Sequence, residues 1–334
     1  MGIYNQTKPS GALKILWEGL KLPVNNCKLL RPVVTVSFLS SALLFIFFYL
    51  RLLPLVFDLT FKSILIRETN PESPEFSLLL NAILRDLKEL GIIEVILLTI
   101  SFVVNSLLVI AIVHVLSDAY ASKTAASKVK ELSSGLNWPL IKRGMITQAF
   151  VAFFLRLGCT LMLTLAAGAL PFAYVYSRYF SRSHVESAVV VVSGAFVAAL
   201  AFYWYLYLFV VAQMSVVVSI AEEGCYGLEA IAKACRLIRG GRRQAILIAF
   251  LEVAPAVVFY TGYGIAIAHI PPTKLAQLAV GVGQLAVGVV IGVLVWSVHT
   301  VYYYERSKIR AEEMATEGGF KYNPVPTQVD EALP

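Results

Sequence analysis

Residues 188–220 read AVVVVSGAFVAALAFYWYLYLFVVAQMSVVVSI and contain no charged side chain. A helix that crosses the hydrocarbon core of a bilayer needs about 20 mostly apolar residues. This stretch is longer than that, and it has no polar face that a soluble domain could turn towards water. It therefore predicts a membrane-spanning helix.

Five more stretches have the same character. A soluble protein carries about 25% charged residues, whereas this chain of 334 residues has 15% and is 58% hydrophobic. The composition excludes a soluble globular protein and predicts an all-α, polytopic transmembrane bundle of six helices with short amphipathic interfacial helices. The predicted spans are Val33–Phe57, Ile92–Leu116, Ala149–Tyr176, Ala188–Ile220, Ala245–His269 and Leu275–Tyr304.

Basic residues are distributed unevenly between the two sides of this bundle. With six spans, both termini and the second and fourth loops share one side, and that side holds 19 of the 28 Lys and Arg residues. Cytosolic loops are enriched in Lys and Arg, so we expect cytosolic termini in a protein of the plasma membrane or the endomembrane and secretory system. The net charge of +7 then reflects orientation in the lipid bilayer, and no nucleic-acid partner is expected.

The same patterns divide the chain into three parts. Residues 1–32 form a cytosolic amphipathic segment, residues 33–304 the six-helix transmembrane domain, and residues 305–334 a cytosolic, partly disordered tail. Amphipathic helices are expected in the N-terminal segment, over residues 79–90 on the non-cytosolic surface, and in the fourth loop. Their apolar positions include Leu13, Leu16, Trp17 and Leu20 in the first, Leu79, Ile83, Leu87 and Leu90 in the second, and Leu228, Ile231, Cys235 and Ile238 in the third.

The helix of the fourth loop is basic and is followed by two arginines. Near an anionic surface each Lys or Arg contributes about 1 kcal/mol, so this cluster is a hypothetical contact for anionic lipids of the cytosolic leaflet. The alternative is an anchor that only fixes topology and packs under the bundle. The predicted headgroup contacts are Lys233, Arg236, Arg239, Arg242 and Arg243.

Two ionisable residues of opposite charge lie inside predicted spans. Arg156 and Glu252 are each about seven residues from the cytosolic start of their spans, which places both about 10 Å deep at 1.5 Å per residue. Buried charges in a membrane are costly unless paired, so an intramembrane ion pair is predicted. It is either a clamp that specifies helix packing or the site of a transporter for a small solute or a lipid.

Catalytic and metal sites have weaker support in the sequence. His114 and Asp118 share a helix face, and with His299 they form a hypothetical metal or acid–base site. The chain lacks GxSxG, HExxH, Walker A and GxGxxG motifs, so no catalytic residue, metal or cofactor is predicted. Gly288 and Gly292 form a GxxxG step, which packs helices within the bundle or between the copies of a homo-oligomer.

Residues 219–240 read SIAEEGCYGLEAIAKACRLIRG. This segment resembles the cytosolic signature of a plant family of uncharacterised six-span membrane proteins. It is also similar to bacterial six-helix membrane families, including the membrane domain attached to some glycerophosphodiester phosphodiesterases. Cys235 stands where these families usually have Ser. The matching positions are Glu222 or Glu223, Gly227, Glu229, Ala230, Leu237 and Gly240.

The resemblance implies an all-α membrane bundle without a phosphodiesterase catalytic domain, and it supplies no activity. With the composition and the basic cluster, it favours a non-enzymatic protein in membrane organisation, trafficking or lipid association. The main alternative is a transporter that uses the Arg156/Glu252 level. An intramembrane enzyme at His114, Asp118 and His299 ranks third.

Overall fold

The computed structural model describes residues 11–121, 137–179, 183–269 and 274–317. In these ranges the regular elements are helical, which confirms the all-α class. A π-helical segment, Phe48–Leu52, joins α2 to α3, and a second, Val151–Arg156, joins α5 to α6. The helices are α1 (Ala12–Asn25), α2 (Cys27–Phe47), α3 (Leu53–Glu68), α4 (Pro74–Ala121), α5 (Trp138–Phe150), α6 (Leu157–Tyr179), α7 (His184–Ala221), α8 (Leu228–Arg239), α9 (Arg242–His269) and α10 (Lys274–Glu317).

Six helical stretches are long and apolar enough to cross a membrane, which confirms the predicted bundle. The second has 47 residues and is about 70 Å long at 1.5 Å per residue. Because the hydrocarbon core is only about 30 Å thick, such helices continue well beyond it. The six stretches are Cys27–Glu68, Pro74–Tyr120, Trp138–Arg178, His184–Ala221, Arg242–Ile265 and Ala276–Glu313.

The first two stretches form a long hairpin whose helices extend beyond the predicted span ends at Phe57 and Ile92. Helix α3 continues from the π-helical segment past Arg51, and Pro54 lies in the first turn of α3, where proline is tolerated. The helix expected over residues 79–90 is not separate but belongs to α4. Near the turn of the hairpin, Lys62 Nζ donates to Asp86 Oδ2 at 2.6 Å and so joins α3 to α4.

The buried core lies at one end of the bundle. We name this the basic end: it is where α4, α7 and α10 finish, where α2, α5 and α9 begin, and where the arginines after α7 lie. At the other end, the opposite end, most large apolar side chains are exposed. Core residues at the basic end include Leu30, Val113, Leu140, Met214, Ile238, Ile248 and Val301. Exposed residues towards the opposite end include Leu43, Ile96, Leu161, Val192, Val258 and Ile265.

Helix α1 packs against α10 at the basic end, through a face that the sequence did not indicate. The structure buries Ile15, Gly19 and Leu22, whereas Leu13 and Trp17 of the predicted stripe are exposed. A Cβ on Gly19 would come within 2.7 Å of the Val298 Cα, so this contact requires a glycine. Helix α1 therefore has a second apolar face that is turned away from the protein, as in helices that lie at a membrane interface.

Candidate functional site

The connection between α7 and α8 contains the 219–240 segment, and its backbone requires glycine. Gly224 has φ +83°, and Gly227 has φ +61° and ψ −127°, a combination that residues with side chains rarely adopt. The backbone N–H of Gly227 donates to Thr147 Oγ1 of α5 at 2.8 Å in a buried position. The connection is therefore a defined turn that is fixed to α5.

Glu222 follows α7 directly and joins three other helices. Its Oε1 accepts a hydrogen bond from the Tyr303 hydroxyl of α10 at 2.6 Å, and its Oε2 accepts one from Lys233 of α8. Arg143 of α5 donates from Nη1 to the Glu222 backbone oxygen at 3.0 Å. One residue of the 219–240 segment thus connects α5, α7, α8 and α10.

A second set of contacts fixes the carboxyl end of α8. The buried Arg306 of α10 donates from Nε to the Leu237 backbone oxygen at 3.4 Å. Its guanidinium lies against the two glycines that end the helix, and a Cβ on Gly240 would come within 2.4 Å of Arg306 Nη2. The Tyr302 hydroxyl also reaches the Gly241 backbone oxygen at 3.5 Å. A cation at the carboxyl end of a helix interacts favourably with the helix dipole, so Arg306 acts as a cap for α8.

The five predicted headgroup contacts separate into two groups. Lys233 is only partly exposed and donates to Glu222, so its charge is shared with a carboxylate of the protein, and its headgroup contact stays a prediction. The other four are exposed at the carboxyl end of α8 and the start of α9: Arg236, Arg239, Arg242 and Arg243. The opposite face of α8 is buried in the core through Ala230, Ala234, Leu237 and Ile238. The exposed four form the arginine surface.

Cys225 lies within the α7–α8 turn and is partly buried. Burial raises the pKa of the Cys225 thiol, and the neighbouring Glu222 carboxylate raises it further, while Lys233 acts in the opposite direction. The reactive form of a cysteine is the thiolate. Cys225 is therefore a poor nucleophile at neutral pH, and the turn has the properties of a structural element.

The structure does not bring Arg156 and Glu252 together. Arg156 ends the second π-helical segment and forms no ion pair with any residue that the structure describes. Glu252 lies instead beside His299, with its Oε1 3.5 Å from His299 Nδ1, and both side chains are buried. A similar depth along two helices does not make them face each other, and for this reason the predicted pair is absent.

Arg156 lines a cavity of about 370 Å³ between α5, α6, α7 and α10. We name it the Arg156 cleft. Glu252 is not among the residues that line it, so this cleft does not join the two residues proposed for transport. The cleft is lined by Gln148, Val151, Arg156, Cys159, Thr160, Leu163, Thr164, Tyr205, Phe209, Ala212, Gln213, Val216 and Trp296.

A second cavity, of about 350 Å³, lies between α2, α4, α9 and α10, and Trp296 lines this one too. The glycines of the predicted GxxxG step line it as well. A Cβ on Gly288 would meet only the Tyr260 hydroxyl, at 3.6 Å, and one on Gly292 would meet nothing within 4 Å. In this chain the two glycines leave space rather than bring two helices together, and a homo-oligomer through them stays a prediction.

The histidines do not converge on a common site. His114 Nε2 lies 3.6 Å from Asp118 Oδ2 within α4, while His299 faces Glu252. Among the residues that the structure describes, no group of three or more His, Cys, Asp or Glu side chains is placed to hold a metal ion.

Several residues that organise the basic end were not singled out from the sequence. They are Arg143, Thr147, Tyr303 and Arg306, whose partners lie far away along the chain. One sequence signal was present: the run Tyr302–Arg306, YYYER, spans the end of the last predicted apolar stretch. Aromatic and basic residues at the end of a span are usually attributed to the membrane interface, which conceals their role in holding α8.

Comparison with known proteins places the chain in a family. The family model described as "Domain of unknown function (DUF8558)" matches residues 5–314, which include the six spans and the α7–α8 turn. No curated protein and no solved structure matches the chain. The chain therefore belongs to the DUF8558 family, whose function is unknown.

Proposed function

We propose that this protein is a non-enzymatic integral membrane protein that binds anionic lipids of the cytosolic leaflet and acts in membrane organisation or trafficking. The observation that carries the proposal is the arginine surface. Arg236, Arg239, Arg242 and Arg243 are exposed, and among the ion pairs of the described residues none involves them. Their charges are thus available to an external anion.

The rigidity of α8 supports this role. Gly227, directly before α8, donates to Thr147. Lys233 in the middle of the helix donates to Glu222, and Arg306 fixes its carboxyl end. A binding surface held in place loses little conformational entropy when its ligand binds.

The proposed orientation follows from the distribution of charge. The basic end contains the arginine surface, and cytosolic loops are enriched in Lys and Arg. The cytosolic leaflet also carries the anionic lipids. Cytosolic termini, location in the plasma membrane or the endomembrane system, and kinship with the plant and bacterial six-span families are parts of the same proposal.

Transport is the weaker candidate. It predicts a cavity that reaches both Arg156 and Glu252, and the Arg156 cleft is not lined by Glu252. An enzyme at His114, Asp118 and His299 has still less support, because His299 lies beside Glu252 instead.

The test uses the full-length protein reconstituted into vesicles of dioleoylphosphatidylcholine that contain a trace of spin-labelled lipid. Electron paramagnetic resonance measures the fraction of spin-labelled phosphatidylserine, or of spin-labelled phosphatidylcholine, that the protein immobilises. We expect the wild-type protein to prefer phosphatidylserine by about threefold or more at low salt, and the preference to fall as salt screens the charges.

Two variants with equal net charge show whether the preference for phosphatidylserine depends on the arginine surface or on net charge alone. Replacing Arg236, Arg239, Arg242 and Arg243 with Gln removes the arginine surface and abolishes the preference. The matched control replaces four exposed arginines towards the opposite end with Gln, and it keeps the preference. An equal loss in both variants contradicts the proposal, because it would reflect net charge alone. The control arginines are Arg51, Arg67, Arg85 and Arg178.

A further inference from the structure

The Arg156 cleft combines a cation with unpaired buried amides. Gln148 is only 2% exposed, and its Nε2 has no hydrogen-bond partner among the described residues. Gln213 Oε1, on the facing helix α7, is likewise buried without a partner. Buried polar groups in proteins are nearly always hydrogen-bonded, so one orphan donor and one orphan acceptor in the lining of one cavity indicate that a ligand completes them.

The charge of the lining selects the class of ligand. Arg156 is the cation of the cleft, and no carboxylate is among the lining residues. The hydroxyls of Thr160 and Thr164 already donate to the backbone oxygens of Arg156 and Leu161. A guanidinium presents a planar fork of N–H donors that matches the oxygens of a phosphate. The cleft therefore suits a phosphate group.

The unpaired amides select what is attached to that phosphate. Gln148 offers an N–H donor and Gln213 offers an oxygen acceptor. A hydroxyl group both accepts and donates a hydrogen bond, so a polyol satisfies both amides where a quaternary ammonium would satisfy neither. The cavity of about 370 Å³ is within the range of small-ligand pockets, about 300–1,000 Å³.

The surroundings of the cleft indicate where the ligand comes from. Phe153, Phe154 and Leu157 flank Arg156 along the helix and are exposed; large apolar side chains exposed on a spanning helix face lipid. Along the chain Gln148 lies towards the basic end from Arg156, and Leu163 lies towards the opposite end. A lipid of the leaflet at the basic end would enter with its chains towards Leu163 and its headgroup towards Gln148.

We propose that the Arg156 cleft binds one anionic phospholipid with a polyol headgroup, such as phosphoglycerol or phosphoinositol. Arg156 binds the phosphate, and Gln148 and Gln213 bind the headgroup hydroxyls. The site differs from the arginine surface, which attracts anionic lipids by charge. It does not depend on the proposed function, and it adds a lipid held individually within the bundle.

The experiment titrates dioleoylphosphatidylglycerol into the full-length protein in detergent micelles and measures the midpoint of thermal unfolding. A ligand that binds only the folded state raises the midpoint in a saturable way. We expect such a rise with phosphatidylglycerol and none with dioleoylphosphatidylcholine, which has no headgroup hydroxyl and no net charge. An equal rise with both lipids overturns the proposal.

Three single variants test the residues. Arg156→Gln weakens the apparent affinity about tenfold and Arg156→Lys weakens it less, because a lysine keeps the charge but loses the fork. Arg178→Gln, near the other end of the same membrane-spanning stretch, leaves the affinity unchanged. Equal affinity in Arg156→Gln and Arg178→Gln overturns the assignment of the site.

Gln148→Leu separates binding from folding. Replacing an unpaired buried amide with an apolar side chain of similar size removes a desolvated donor, so the midpoint without lipid rises while the response to phosphatidylglycerol falls. If Gln148 only supports packing, its substitution lowers the midpoint without lipid and leaves the response intact, which contradicts the proposal.

Two further arms separate this site from its alternatives. A rise with sn-glycerol 3-phosphate alone that requires Arg156 supports the phosphate site but overturns the lipid as its source. The variant without the arginine surface keeps the Arg156-dependent response. If the response is lost with the arginine surface and is independent of Arg156, the cleft proposal fails while the proposed function stands.

Discussion

At the basic end the helices bury their side chains against one another, whereas the same helices expose theirs towards the opposite end. Helix α10 has buried side chains at the basic end and exposed ones towards the opposite end. Val301 and Tyr302 are almost completely buried, whereas Val287 and Val290, nearer the opposite end, are exposed. The polar contacts differ too, since Glu222 and Arg306 connect several helices at the basic end.

This difference follows from the two solvents. Lipid chains are as apolar as leucine, so the hydrophobic effect does not drive helices together within the hydrocarbon. Outside the hydrocarbon it does, and polar contacts such as those of Glu222 and Arg306 add to the packing at the basic end. The basic end then fixes the arrangement of the bundle, and the opposite end depends on the membrane for its solvation.

The largest expected effect compares one leucine from each end. Leu116→Ala at the basic end, where the side chain is fully buried, should lower the free energy of unfolding by about 2–5 kcal/mol. Leu43→Ala, where the side chain is 69% exposed, should cost about 0.5 kcal/mol. Denaturant titration of the purified protein in detergent measures both, and equal costs would contradict the difference between the ends.

The hairpin of α3 and α4 offers an exception that sharpens the comparison. Asp86 is 5% exposed and accepts from Lys62, which also donates to the exposed Asp58. Asp86→Asn weakens a charge-assisted bond between helices and should cost about 1.5–3 kcal/mol, whereas Asp58→Asn alters a pair within one helix and should cost at most about 1 kcal/mol. The same titration measures both variants. Similar costs would show that the buried contact does not join the hairpin.

Replacing a glycine with alanine should destabilise the protein at the basic end and stabilise it outside that end. Gly227→Ala forces a side chain into a backbone conformation that favours glycine, which costs about 1–3 kcal/mol. Gly168→Ala lies within α6, where a Cβ meets nothing within 4 Å, and should stabilise the helix by about 0.5–1 kcal/mol. Thermal unfolding in detergent distinguishes a lower midpoint from a higher one. A higher unfolding midpoint in Gly227→Ala would contradict the conclusion that the turn requires a glycine at this position.

The fold class could be predicted from the sequence because it depends on the length and polarity of single segments. Apolar runs such as residues 188–220 need no partner to be recognised, since the bilayer sets the length that they must reach. The position of the basic helix after α7 was predictable for a similar reason: its period of apolar residues is local, and Gly240 marks its end.

The contacts between helices could not be predicted in this way. The depths of Arg156 and Glu252 can be counted along their helices, but the direction in which each side chain points depends on the rotation and tilt of two helices. The same limitation applies to the contact between Lys233 and Glu222. The two residues become neighbours only when the Gly227 turn folds α8 back onto α7. The two cavities follow from three-dimensional packing and leave no periodic signal.

The smallest expected effect concerns the reactivity of Cys225, which reports on the basic end without unfolding it. Burial and the Glu222 carboxylate raise the pKa of its thiol, and the Lys233 ammonium lowers it. In a protein whose other three cysteines are replaced by Ser, the labelling rate with a maleimide should therefore still increase at pH 9, where a free thiol with a pKa of about 8.5 is already mostly ionised.

The Glu222–Lys233 contact allows the electrostatic cause to be separated from a loosening of the turn. Glu222→Gln removes a negative charge, so the pKa of Cys225 falls and labelling at pH 7.5 accelerates. Lys233→Met removes a positive charge, so the pKa rises and labelling slows. Both variants remove the ion pair between the two side chains, and a turn that merely loosens would accelerate labelling in both. Opposite changes, each of a few fold, would therefore show that charge controls this thiol in an intact basic end, whereas parallel changes would show that the contact itself holds the turn closed.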